Sequence, residues 1–178
     1  GIDIVFHCIS TTVPSTSNLD PVFDIETNLV GTIRLLQAMV KCAIPRIVFV
    51  SSGGTVYGVP QAMPTPEDHP IAPLCSYGII KHTIERYLAM YQELEGLRPL
   101  IVRAANAYGI GHGHLGVQGA VNTFLKRVLD GHEIVVWGDG EVSRDYFYAD
   151  DLAAFCVKAG RSQQTGIYNI GGGKAVSI

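Results

Sequence analysis

Tyr77 and Lys81 lie four residues apart in Ser76-Tyr77-Gly78-Ile79-Ile80-Lys81, a spacing that projects both side chains from one face of a helix. A tyrosine normally keeps its proton to about pH 10, but an ammonium held close favours the phenolate and brings the group into range as a base near neutrality. The same spacing also occurs on solvated helices without any chemistry. The elements around the pair must therefore supply its meaning.

The helix that carries the pair runs from Tyr77 to about Glu95, with Ile80, Ile84, Leu88 and Tyr91 as its apolar stripe and Gly96 as its stop. Tyr77 and Lys81 abut that stripe, at its inward edge. Short apolar runs at Ile2 to Ile9, Arg46 to Val50 and Leu100 to Val102 read as strands buried on both faces of a parallel sheet. His132 to Trp137 and Gly166 to Ile170 read as further strands. Asp20-Pro21 opens a helix with Leu29, Ile33, Leu36 and Val40 at helical spacing, closed by Pro45. Val121 to Leu129 and Leu152 to Ala159 complete the helices, the last capped by Asp150-Asp151. Alternating strands and helices predict a doubly wound α/β fold.

In such folds ligands bind at the carboxyl ends of the strands, and the loops there are polar and small. Ser10-Thr11-Thr12 follows the first strand, Ser51-Ser52-Gly53-Gly54-Thr55 the second, and Arg103 to Gly109 the third. Asn28 and Thr32 interrupt an apolar stripe, so Asn28 is either a core amide satisfied by backbone or a side chain turned towards a partner. Five prolines between Val59 and Cys75 exclude a regular helix and make an ordered loop that delivers Tyr77. Gly138-Asp139-Gly140 is a tight turn of the kind a hairpin needs. Just after it, Arg144 either grips a phosphate through paired hydrogen bonds or forms an ion pair with Asp145 or Asp150. His112 and His114 lack nearby acidic or thiol partners, and no metal site is assigned.

The chain has 178 residues, 47% hydrophobic and 16% charged, with a formal net charge of −3. It is one unit at most, and it has no basic field to attract nucleic acid. Cys8, Cys42, Cys75 and Cys156 form no Cys-x-x-Cys pair and read as buried free thiols of a reducing compartment. No apolar run approaches a membrane span and no leader is evident, so a cytoplasmic protein is expected.

Taken together and in order, Thr27-Asn28-Leu29-Val30-Gly31-Thr32, Ser51-Ser52 through Val56-Tyr57-Gly58, Tyr77-Gly78-x-x-Lys81, Arg103 through Asn106 to Tyr108-Gly109, and Arg144-Asp145-Tyr146 resemble the extended short-chain dehydrogenase/reductase family. Within it, the nucleotide-sugar epimerases such as UDP-glucose 4-epimerase are the nearest pattern. The resemblance implies a Rossmann-like sheet, with residues 1–109 as the later part of an NAD-binding domain. Residues 110–178 then contribute to a small substrate lobe and return to the sheet. It implies Tyr77 as the base on a sugar hydroxyl, and Lys81 as the partner of the nicotinamide ribose that lowers the Tyr77 pKa. Ile9, Ser10, Thr27, Asn28, Ser51 and Ala105 then line the NAD site. Asn106, Gln118, the Val135 to Trp137 strand and Arg144 meet the nucleotide-sugar, and the helices starting at Asp20 and Tyr77 pair across a homodimer.

Two departures stand out. The family's Gly-x-x-Gly-x-x-Gly phosphate turn is absent from these residues. The chain is therefore expected to be a fragment, or the ordered part, of a longer protein that alone binds NAD poorly. Register on Val56-Tyr57-Gly58 also puts the family's catalytic Ser or Thr at Gly53, leaving Ser52 or Thr55 to substitute, with Thr55 preferred. The related 4,6-dehydratases carry an acidic pair where this chain has Gly54 and Thr55, which favours epimerisation over dehydration. The rivals are a dehydratase, reductase or decarboxylase of the same family, and a non-catalytic dinucleotide-binding protein.

Overall fold

In the computed structural model, which describes residues 1–110, 119–136 and 138–178, the chain alternates strand and helix along most of its length. The elements in order are β1 (Ile4–His7), α1 (Pro21–Asp24), a π-helical turn (Ile25–Val30), α2 (Gly31–Lys41), β2 (Arg46–Ser52), α3 (Ser76–Glu95) and β3 (Arg98–Ala104). They continue with β4 (Asn106–Tyr108), α4 (Ala120–Leu129), β5 (Ser143–Tyr148), α5 (Ala149–Arg161), β6 (Gly166–Ile170) and β7 (Ala175–Ser177). Strands β1, β2, β3 and β6 form a parallel sheet in the order β1-β2-β3-β6, and β4, β5 and β7 a second, smaller sheet.

Two-residue alternation divides the central strands between two cores. Ile47, Phe49 and Ile101 pack with Leu36 and Met39 of α2 and with Ile80, Ile84 and Leu88 of α3. Val48, Leu100 and Val102 face the other way, onto Cys156 and Ala159 of α5. The sheet thus lies between α2 and α3 on one face and α5 on the other, the layering expected of a doubly wound sheet. Among the described residues, no helix is long and apolar enough to cross a membrane.

Several expectations need correction. β1 is shorter than Ile2 to Ile9 and pairs on one side only among the described residues, so Phe6 is 43% exposed rather than buried. The helix capped by Asp20 does begin at Pro21, with the Asp20 carboxylate accepting from the Phe23 N–H at 2.9 Å. It is then interrupted by the π-helical turn, a wider coil that hydrophobic spacing does not signal. Residues 132–136 form no strand; they lack a ladder partner among the described residues, and Trp137 lies outside those residues. The turn at Gly138 and Gly140 has the positive φ expected (81° and 80°) but leads into β5, which pairs with β4 and β7 and makes no hairpin. Asp150 and Asp151 lie inside the first turn of α5, with Tyr148 at the cap position. Of the four thiols, all free, only Cys156 is buried.

Two features fix α3 over the sheet. Gly78 presses its backbone onto the loop after β2, where an added Cβ would stand 2.9 Å from the Thr55 carbonyl oxygen and 3.0 Å from Pro73 Cβ. One turn beyond Lys81, Glu85 is 2% exposed and pairs with Arg103 of β3, itself 3% exposed. Arg103 donates from Nε to Glu85 Oε1 at 3.1 Å and from Nη2 to Oε2 at 2.6 Å. Its Nη1 reaches the Tyr57 hydroxyl at 2.8 Å and the Glu67 carbonyl at 3.1 Å, so the pair also anchors the proline-rich loop. A buried carboxylate and guanidinium are tolerated here because most of their polar atoms are matched.

Gly78→Ala is expected to destabilise the protein by roughly 1–2 kcal/mol in urea unfolding, because the clash with a fixed backbone carbonyl outweighs the better helix propensity of alanine. Arg103→Ala, which strands a buried carboxylate, is expected to cost about 3–5 kcal/mol in the same measurement.

Candidate active site

The loop after β1, α1 with its π-helical turn, and the first three turns of α3 bound a cleft lined by Ile9, Ser10, Asp24, Asn28, Tyr77, Ile80, Lys81 and Ile84. Five residues anticipated for catalysis or cofactor contact, Ile9, Ser10, Asn28, Tyr77 and Lys81, are thereby brought together. Lys81 reaches inward between the strands. It is 5% exposed, donates to the Val50 carbonyl at 2.9 Å, and stands 4.9 Å from the Phe49 ring centroid and 5.5 Å from that of Tyr77.

The electrostatics differ from the expectation for the pair. Burial disfavours the Tyr77 phenolate, and together with Cys75 and Asp24 it pushes the phenol up to about 12, against a hydrogen bond with Ser52 that pulls it down. Burial likewise drives Lys81 down to about 8, opposed by Cys8, Asp24 and Glu85. Burial is the largest cause for both groups, because desolvation penalises the phenolate and the ammonium alike. The residues of the chain alone hold a neutral phenol beside an easily deprotonated ammonium.

The position following β2 is settled by backbone packing. Gly53 donates its N–H to the Ala104 carbonyl at 2.9 Å, and a Cβ there would meet the carbonyl oxygens of Arg103 at 3.1 Å and Ala104 at 3.3 Å. Gly53 is thus turned onto β3. Ser52, one residue earlier, has the hydroxyl that acts on Tyr77 to lower its pKa. The Thr55 hydroxyl is buried without a hydrogen-bond partner among the described residues, beneath Gly78.

The other anticipated cofactor residues are engaged with their neighbours. Ser51 donates to Glu85 Oε1 at 2.5 Å, facing the ion pair rather than lining the cleft. The Thr27 hydroxyl meets that of Thr11 at 2.7 Å and donates to the Phe23 carbonyl. Asn28 is satisfied mainly by the loop after β1, accepting from the Thr11 N–H at 2.9 Å and donating to the Thr11 hydroxyl at 2.8 Å. Ala105 is held by its N–H on the Ile170 carbonyl.

On the substrate side, Asn106 donates to the Asp145 carbonyl at 3.2 Å. Arg144 is exposed, and its side chain donates to the Ser143 carbonyl. The ion pair considered for Arg144 is not formed with Asp145, whose carboxylate accepts from the N–H groups of Gly172 and Gly173. Val135 is exposed on the irregular segment, while Gln118, Trp137, His112 and His114 lie outside the described residues. Sequence reasoning missed two buried carboxylates, Asp24 and Glu85. The signal for Glu85 was its place four residues after Lys81; for Asp24, its place four before Asn28.

Can these residues hold a nicotinamide cofactor? Only one of the three Lys81 N–H groups is used among the described residues, and it lies under a cleft that also offers Ser10, Asn28 and the Tyr77 hydroxyl. That donor set fits a ribose, and the apolar Ile9 fits an aromatic ring.

Comparison with known proteins points the same way. The UDP-glucose 4-epimerase of Mycolicibacterium smegmatis is 37% identical over 176 residues, which cover 98% of this chain and 56% of the relative. The crystal structure of UDP-glucose 4-epimerase with UDP-glucose from Thermotoga maritima superposes with a TM-score of 0.95 at 34% identity, covering 98% of this chain and 57% of that one. That of the Thermus thermophilus enzyme in complex with NAD gives 0.90 at 35%, covering 98% and 58%. Dehydratases and decarboxylases are also among the similar proteins. The chain thus spans somewhat over half the length of these relatives. The model of the NAD dependent epimerase/dehydratase family matches residues 1–171, and with the shared parallel sheet it establishes that this chain belongs to that family.

Proposed function

We propose that this chain carries the catalytic half of an NAD-dependent nucleotide-sugar 4-epimerase, with Tyr77 as the proton-transfer group. The observation that carries the reading is that Tyr77 and Lys81 line one cleft with Ser10 and Asn28. The similarity to UDP-glucose 4-epimerases along nearly the whole chain supports it.

In this reading Tyr77 accepts the proton of the sugar 4-hydroxyl, and Ser52, whose hydroxyl lowers the Tyr77 pKa, shares that proton. Lys81 holds the ribose with its unused N–H groups, while Ile9 and Ser10 flank the ring. NAD, when bound, takes and returns a hydride, and a cation in the cleft favours the phenolate. Burial of the pair excludes bulk water, so the proton passes between fixed partners and not to solvent. Asn106 and Arg144 are the described candidates for the nucleotide-sugar, Arg144 because its guanidinium makes only one hydrogen bond within the chain among the described residues.

The same-family alternative, dehydration, needs an acid close to the leaving hydroxyl, and Gly54 and Thr55 supply none. A homodimer and a cytoplasmic location complete the reading. The dimer is supported by exposed apolar side chains along α1 and α3, among them Val22, Phe23 and Ile79.

The protein expressed from its complete reading frame, given NAD and a panel of nucleotide-sugars, is expected to form C4 epimers with no net rise in NADH absorbance. Tyr77→Phe is expected to lower turnover by ~10²–10⁴-fold, the usual share of acid–base catalysis. A steady accumulation of NADH, or full activity in Tyr77→Phe, contradicts the reading.

A further inference from the structure

Asp24 is 1% exposed, yet both of its carboxylate oxygens are occupied by groups from three separate segments. Oδ1 accepts from the Thr12 hydroxyl at 2.7 Å, in the loop after β1, and from Asn28 Nδ2 at 2.8 Å, in the π-helical turn. Oδ2 accepts from the Ser76 hydroxyl at 2.7 Å, in the residue directly before Tyr77. The start of α3 depends on this help. Its cap residue, Cys75, makes no side-chain cap bond, and the first turn contains no acidic residue. The Ser76 N–H is instead taken by the Asn18 side chain at 2.9 Å, from the same loop region. A buried anion at a helix N-terminus also meets the positive end of the helix dipole.

We propose that Asp24 is a positioning residue of this site, a single carboxylate that holds the first turn of the Tyr77 helix, the π-helical turn and the loop after β1 in fixed relation around the cleft. The proposal rests on the epimerase reading for its kinetic consequence but not for its physical one. Because the three segments that Asp24 joins are the ones that line the cleft, loosening it moves Tyr77 relative to Ser10 and Asn28. A misplacement of about 1 Å is enough to slow a positioned proton transfer considerably.

The clamp also has an electrostatic side. Lys81 faces His7 at the end of β1, Cys8 just after it, Asp24 from α1 and Glu85 from its own helix; Tyr77 faces Ser52, Cys75 and Asp24. His7 is itself held well down, at about 4, so it stays neutral and adds no competing charge. Asp24 and Glu85 are then the carboxylates that favour the Lys81 ammonium. Removing the Asp24 charge lowers the pH at which Lys81 loses its proton and, with one fewer anion opposing the phenolate, lowers that of Tyr77 as well. Both changes move the same way.

The test compares Asp24→Asn, Ser76→Ala and the parent in the protein from the complete reading frame. Lys81 is followed by NMR of ¹³Cε-labelled lysine, assigned with Lys81→Arg, as a function of pH. This readout needs no turnover, so it stands even where the epimerase reading fails. Asp24→Asn is expected to move the Lys81 midpoint at least ~0.5 unit below that of the parent. Where turnover is measured, it is expected to lower kcat on the order of tenfold and to displace the kcat profile to lower pH. Ser76→Ala keeps the charge and loses one strut, so it should lower kcat without moving the midpoint, and it serves if Asp24→Asn does not fold. An unmoved midpoint in folded Asp24→Asn, or full kcat in Ser76→Ala, overturns the proposal.

Discussion

The structure depends on the packing of α3 across β2, with the Tyr77 and Lys81 side chains on the face that meets the sheet. Gly78 permits the close approach, Ile80, Ile84 and Leu88 fill the interface, and the Glu85 to Arg103 ion pair locks the helix to β3. A consequence of this constraint is that the polar ends of Tyr77 and Lys81 are forced out of water. Their ionisations are therefore set by burial first and by individual neighbours second. A site of this kind responds strongly to one added or removed charge, because little solvent is present to screen it.

The neighbourhood of the pair is built from contacts between segments distant in the chain. Asp24 meets Ser76 across 52 residues, Ser51 meets Glu85 across 34, and Tyr57 meets Asn169 across 112. These contacts join helix to helix, strand to helix and loop to strand. The loops are polar, yet most of their side chains already have partners within the chain. The donors left over, principally those of Lys81, are directed to the cleft.

Much of the architecture was legible because it follows local rules. The Asp20 cap, the apolar stripe of α3, its end at Gly96 and the buried runs of β2 and β3 depend on periodicity and on single-residue preferences. What was not legible depends on context. The irregular 132–136 segment has the composition of a strand but no partner among the described residues. The π-helical turn widens the coil without changing the hydrophobic pattern. In the site, the spacing of Tyr77 and Lys81 announced the pair, but its electrostatic balance depended on burial, which no local spacing could supply. The close approach of the Gly53 backbone to β3 was likewise invisible in the sequence.

The central claim, that the cleft removes a hydride from a sugar carbon and returns it to that carbon, is tested most directly with a nucleotide-sugar deuterated at C4. The complete protein with bound NAD is predicted to convert it to the C4 epimer with the deuterium still at C4. Loss of the deuterium to solvent, or its accumulation in released NADH, would contradict the account.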